Sequence, residues 1–170
     1  SVVDYTDRSS AILWGDGAVA SIISNKPSGF EVVDLFIDSK SSGAYSIVVP
    51  VKGCFSQEGN KVQNFAVRYS IKASLEMLKR NNLSGKAAEE IDYLILHQAN
   101  LKMMKSIAKH LGVEENQLLH NIEHYGNTAA VGAASVLAEN WDKIKSGEKA
   151  LITVVGSGLS WGSMLLKKVD

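Results

Sequence analysis

The chain has 170 residues, 45% hydrophobic and 21% charged, with eighteen Lys and Arg against eighteen Asp and Glu. That apolar content suits one full-sized core and excludes a disordered chain, while a formal net charge of zero gives no electrostatic basis for binding nucleic acid or an anionic membrane. A single cysteine, Cys54, excludes an intrachain disulfide framework and fits a reducing, cytoplasmic setting. No apolar run approaches the ~20 residues of a bilayer span, and no signal-peptide pattern opens the chain. Ser1 is not an initiator, so sequence upstream is expected.

In chain order, Ser10 to Ser24 is rich in Ala, Ile and Val, with a Gly15-Asp16-Gly17 break inside it, and predicts a bent strand. Phe30 to Asp38 predicts a second strand after the Pro27-Ser28-Gly29 turn. Ser39 to Gly59 reads as a long loop. Val62 to Arg80 places Phe65, Val67, Ile71, Leu75 and Leu78 at helical spacing, up to an Asn81-Asn82 stop. Asp92 to Leu96 predicts a buried strand, Leu101 to Leu111 a helix stopped by Gly112, and Thr128 to Lys145 an Ala-rich helix. Ala150 to Val155 and Ser163 to Val169 predict the last strands. The βαβ alternation of the second half points to an α/β architecture, a mixed sheet with helices on its faces.

The chemistry-bearing residues gather around His97-Gln98-Ala99-Asn100, which closes the strand-like run, and Gly126-Asn127-Thr128 thirty residues on. A histidine at the carboxyl end of a buried strand lies where open α/β sheets bind ligands. A His and an Asn, each able to donate to a reacting carbonyl, suggest an oxyanion site, in which fixed donors stabilise charge developing on oxygen. The competing readings are a satisfied structural histidine and, for Asn127, a helix cap. Gly156-Ser157-Gly158 reads first as a tight turn between antiparallel strands. Cys54 sits in a loop rather than on a strand-to-helix elbow where a helix amino terminus could lower its pKa, which argues against a nucleophile. His120-Asn121-Ile122-Glu123-His124 spells the inverted zinc-hydrolase pattern. Gly126 follows at once and no third ligand is evident, so no metal site is expected there.

Taken together, Thr6-Asp7-Arg8-Ser9-Ser10, Trp14-Gly15-Asp16-Gly17-Ala18, Gly59-Asn60-Lys61-Val62, His97-Gln98-Ala99-Asn100, Gly126-Asn127-Thr128 and Gly156-Ser157-Gly158-Leu159-Ser160-Trp161-Gly162-Ser163 resemble, in order and spacing, the carboxyl-terminal portion of a β-ketoacyl-acyl carrier protein synthase III, a thiolase-fold condensing enzyme. The resemblance implies about one half of the full thiolase fold. Residues 1–58 would supply the last strands of the amino-terminal half plus a connecting loop, and residues 59–170 the carboxyl-terminal half. It implies an acyltransferase of fatty acid or related biosynthesis. A cysteine outside this chain would accept an acyl group from coenzyme A. His97 and Asn127 would hydrogen-bond the malonyl thioester carbonyl during decarboxylation, and the carbanion would attack the acyl-enzyme.

The resemblance further gives Ser157 and Gly158 a backbone oxyanion role, with Ser157 standing where the family usually has glycine. A non-glycine residue at positive φ there would cost about 1 kcal/mol. Arg8 matches a coenzyme A-binding arginine. Lys102, with Lys105 and Lys109 on the same predicted helix face, could meet an acidic carrier protein, the alternative being a solvated surface. The implied partners are acyl carrier protein, acyl-CoA and a second copy in a homodimer. No cofactor is implied, coenzyme A being the substrate carrier, and the isolated segment would be inactive. The alternative function is a noncatalytic acyl-CoA or carrier-protein binding module.

Overall fold

The computed structural model describes residues 2–83 and 85–170. The side chain of Ser9, part of the first matching motif, lies outside the described portion. In chain order come the one-turn helix α1 (Arg8–Ala11), the strand β1 (Phe30–Ser39), a 3-10 turn (Ser41–Ser46) and a short hairpin of β2 (Ile47–Val48) and β3 (Ser56–Gln57). The helices α2 (Gly59–Arg80) and α3 (Ala87–Glu90), the strand β4 (Tyr93–Leu96) and the helix α4 (Leu101–Leu111) follow. After a second 3-10 turn (Glu115–Gln117), the chain ends with β5 (Leu118–Leu119), α5 (Ile122–Tyr125), α6 (Val131–Glu139), β6 (Lys149–Gly156) and β7 (Ser160–Lys168).

Five strands form one mixed sheet in the order β1-β7-β6-β4-β5, with β4 parallel to both neighbours and the β6–β7 and β7–β1 pairs antiparallel. Strand side chains alternate between faces, and the sequence uses that alternation to build two apolar layers. Leu94, Leu96, Leu118, Leu151 and Leu165 pack with Met77, Leu78, Met104 and Ile107 of α2 and α4. Their immediate neighbours Ile95, Leu119, Ala150, Ile152 and Leu166 pack on the other face with Ala133 and Val136 of α6. The expected α/β architecture, helices on both faces of a mixed sheet, is therefore observed.

Helix α2 lies on the sheet through small residues. Ser70, Ala73 and Ser74 are buried, whereas Leu75, one of the helically spaced apolar residues, is 50% exposed. Ser74 is accommodated because its hydroxyl is paired: Ser74 Oγ lies 3.0 Å from Thr153 Oγ1, which lies 2.9 Å from Ser163 Oγ, linking α2, β6 and β7. At the far end of the sheet Lys168 is only 5% exposed. Its Nζ lies 4.8 Å from the Phe30 ring centroid and 4.2 Å from that of Trp141.

Three expected elements change. Ser10 to Ser24 does not form a strand. It starts in α1 and makes one bridge, Trp14 with Asn127, and Ile22 and Ile23 are 98% and 95% exposed. Its composition suits a strand, but a strand requires a partner strand, and beyond that bridge no strand pairing of this segment is found among the described residues. The Ala-rich helix is shortened to α6, since Ala129 turns to φ 53° before it and Asn140 ends it with a side-chain bond to the Val136 carbonyl. The Ser39–Gly59 loop contains the 3-10 turn and the β2–β3 hairpin. Across the expected division at residue 58, β1 pairs with β7 from Phe30–Lys168 to Ser39–Ser160. No helix among the described residues is long and apolar enough to cross a membrane.

Leu94 is fully buried in the centre of the larger layer. Leu94→Ala is expected to lower the unfolding free energy by about 2–5 kcal/mol, the cost of lost burial plus a cavity, as measured by urea denaturation. Leu75→Ala, on the exposed side of α2, is expected to change it by less than about 1 kcal/mol.

Candidate active site

The site forms where the strands end. Strand β4 stops at Leu96, and the next backbone group, the His97 N–H, donates to the Thr153 carbonyl of β6 at 3.0 Å. The chain then turns tightly, with the Ala99 N–H bonding the His97 carbonyl at 2.9 Å. Asn100, in extended conformation, caps α4 by accepting from the Met103 N–H at 3.1 Å. His97 is thus held on both sides by regular structure. Burial pushes the His97 imidazole below its ordinary value, desolvation disfavouring its cation. Among the described residues its ring nitrogens have no hydrogen-bond partner, so the neutral ring has a donor N–H available.

Asn127 is fixed differently. Its N–H donates to the Leu13 carbonyl at 2.8 Å and its carbonyl accepts from the Gly15 N–H at 3.0 Å. The Trp14-Gly15 segment therefore lies alongside it like a strand. Only glycine fits at position 15, since a Cβ there would stand 1.7 Å from the Tyr125 carbonyl oxygen. The Asn127 side chain turns its Oδ1 to the Ala129 N–H at 3.0 Å. That uses the acceptor and leaves the Nδ2 donor with no partner among the described residues. Asn127 is not the cap of α6, whose first flanking residue is Ala130.

His97 and Asn127 open into one cleft of about 1370 Å³, whose other walls include Trp14, Phe55, Phe65 and Trp161. Ser157 also lines it, whereas Gly158 does not. The positive φ of this turn falls on Gly158, at 137°, and not on Ser157, so the strain expected at the serine is not present. Ser157 keeps a backbone conformation open to any residue, and its carbonyl accepts from Ser160 Oγ at 2.7 Å.

The remaining expected site residues lie outside this cleft. Arg8 is an exposed residue of α1. Lys102, Lys105 and Lys109 are all exposed on α4, as the stripe requires, but Lys105 is paired with Glu115 at 2.5 Å. The exposed Cys54 does not line the cleft, although its neighbour Phe55 does. In the zinc-like pattern, α5 begins at Ile122, so His120 precedes the helix and cannot share a helical turn with His124. His120 Nδ1 instead meets Glu123 Oε2 at 2.9 Å. The inward-facing aromatic wall went unrecognised in the sequence because Phe55, Phe65 and Trp161 come from a loop, a helix and a strand far apart in the chain.

The profile described as "3-Oxoacyl-[acyl-carrier-protein (ACP)] synthase III C terminal" matches residues 79–168. The β-ketoacyl-[acyl-carrier-protein] synthase III of Campylobacter curvus is 33% identical over 98% of this chain and 54% of its own length. That of Lactococcus lactis subsp. cremoris strain SK11 is 35% identical over 97% of this chain and 55% of its own. The crystal structure of 3-oxoacyl-[acyl-carrier-protein] synthase III from Aquifex aeolicus superposes with a TM-score of 0.90 at 28% identity, covering 98% of this chain and 54% of that one. The chain spans about half the length of the curated relatives it matches, and its fold is about half of their thiolase-like fold. With the profile matching more than half of its residues, the chain belongs to the 3-oxoacyl-[acyl-carrier-protein] synthase III family and corresponds to that family's carboxyl-terminal region.

Proposed function

We propose that this chain supplies the decarboxylation site of a synthase III that condenses an acyl group from acyl-CoA with malonyl-carrier protein. The observation that carries this reading is that His97 and Asn127 line one cleft, the former with a buried imidazole that favours its neutral form, the latter with its Oδ1 tied to the backbone and its Nδ2 left as the donor. Loss of carbon dioxide from a malonyl thioester leaves an enolate, with negative charge on the former carbonyl oxygen. Two donors already fixed in place lower its energy without reorganising at the moment of reaction. A neutral imidazole suits this role, since it presents an N–H without the solvation demand of a buried cation.

In the same reading, a cysteine supplied from outside residues 1–170 carries the acyl group, and the backbone of the Ser157-Gly158 turn stabilises the oxyanion of acyl transfer. Arg8 binds the nucleotide end of coenzyme A and Lys102 the carrier protein. The enzyme is a cytoplasmic homodimer in fatty acid or related biosynthesis. Residues 1–170 alone lack that cysteine and are inactive.

Mutation separates the half-reactions in the intact enzyme. His97→Ala and Asn127→Ala are expected to slow carbon dioxide release by on the order of 10²-fold or more, leaving labelled acyl transfer to the cysteine near its normal rate. The double variant is expected to fall short of the product of the two, because both donors serve one oxygen. Decarboxylation at the normal rate in either single variant defeats this assignment.

The same burial of His97 gives a pH signature. Its folded-state pKa lies below the ordinary value of 6.5, so between the two values the unfolded chain binds more protons. The contribution to stability is fully present above the ordinary value and is lost as pH falls through the folded-state value. Chemical denaturation of the protein across that range is expected to show a pH-dependent loss that His97→Gln reduces.

A further inference from the structure

We infer that Gln98 is a positioning residue of the His97–Asn127 site, its buried side-chain amide acting as the missing next rung of the β4–β5 ladder. The two strands pair in parallel only at Leu94 with Leu118 and Ile95 with Leu119, after which β5 ends. Just beyond, Gln98 Nε2 donates to the Leu96 carbonyl at 2.7 Å and its Oε1 accepts from the Asn121 N–H at 3.2 Å. One planar amide therefore takes the place of a peptide group between diverging strands, satisfying an acceptor on one and a donor on the other. Gln98 is fully buried and does not line the cleft.

The bridge continues toward Asn127. Asn121 Nδ2 donates to Ser135 Oγ and to Glu139 Oε2 of α6, each at 3.1 Å. The Asn121 carbonyl accepts from the N–H groups of His124 and Tyr125, shaping the turn that leads through Gly126 to Asn127. Helix α6 closes on Gln98 directly, since a Cβ on Gly132 would stand 2.8 Å from Gln98 Cβ. The residue next to His97 and the loop ending in Asn127 are thus joined through one side chain. A glutamine suits this place because it offers a donor and an acceptor at the same reach. Met fills similar volume with neither a strong donor nor a strong acceptor. Ionised Glu has only acceptors and would set a carboxylate oxygen against the Leu96 carbonyl, whereas protonated Glu restores one O–H donor.

The activity arm of the test rests on the decarboxylation reading above; the spectroscopic arm does not. In the intact protein, Gln98→Met is expected to displace the NMR signals of the His97 ring and the Asn127 side-chain amide together. It should also reduce carbon dioxide release by about tenfold or more while acyl transfer is retained. Gln98→Glu is expected to behave like the Met variant at mildly alkaline pH. It should recover both signals and rate as the pH is lowered and the buried carboxyl protonates, a reversal that space filling alone cannot give. Unchanged signals in Gln98→Met, or a Gln98→Glu protein with no pH-dependent recovery, overturn the inference. If Gln98→Met fails to fold, the Glu titration decides. Normal decarboxylation in His97→Ala would defeat the activity reading, and the NMR result would still decide the role of Gln98.

Discussion

The hydrogen bond from the His97 N–H to the Thr153 carbonyl is the constraint on which the site depends. It is the last backbone hydrogen bond between β4 and β6, whose central residues are buried, so the residue after β4 inherits the rigidity of the sheet interior while lining the crevice beyond it. Behind it, the buried hydroxyls of Ser74, Thr153 and Ser163 tie β6 to α2 and β7. Such a network is costly if half-made, because an unpaired buried hydroxyl loses its hydration without return. Completed, it discriminates against sliding of the helix along the sheet more sharply than apolar contacts would.

A second principle governs Asn127. This residue gains its position from the amino-terminal Trp14-Gly15 segment rather than from a long element of its own. The two donor residues therefore belong to different structural systems, one the sheet interior and the other a bridge of loops. Orientation matters strongly to transition-state stabilisation, and small displacements cost large factors in rate. The polar ties between these systems bear on chemistry as much as on folding.

The sheet and its site were legible to different extents in the sequence. Asp92 to Leu96 and Ala150 to Val155 are readable as strands because both are short, predominantly apolar runs, and Leu101 to Leu111 as a helix because a glycine, Gly112, stands at its end, where the fold adopts the left-handed conformation. His97 was readable because it directly follows one of those runs. Ser10 to Ser24 misled because composition reports suitability for a strand but not the presence of a partner. The two-residue β5 is too short to leave a periodic signal, although it fixes the register of the β4 edge. Gln98 sat in plain view within the tetrad, yet its task depends on Asn121 and Gly132, which only the fold brings near. A serine in the middle of the Gly156-Ser157-Gly158 turn suggests strain at position 157; the fold puts the unusual backbone angle on the neighbouring glycine.

Lys168 closes the far end of the sheet in a way that sets it apart from the other cations. The Lys105–Glu115 pair is an exposed contact between opposite charges, and added electrolyte competes with it directly. Lys168 instead rests against two aromatic faces within the fold, where salt screens charge much less and the attraction comes from ring quadrupoles. The seam between the end of β7, the start of β1 and the Trp141 turn is thereby fastened by an electrostatic contact that loosens less than the surface ion pairs as ionic strength rises.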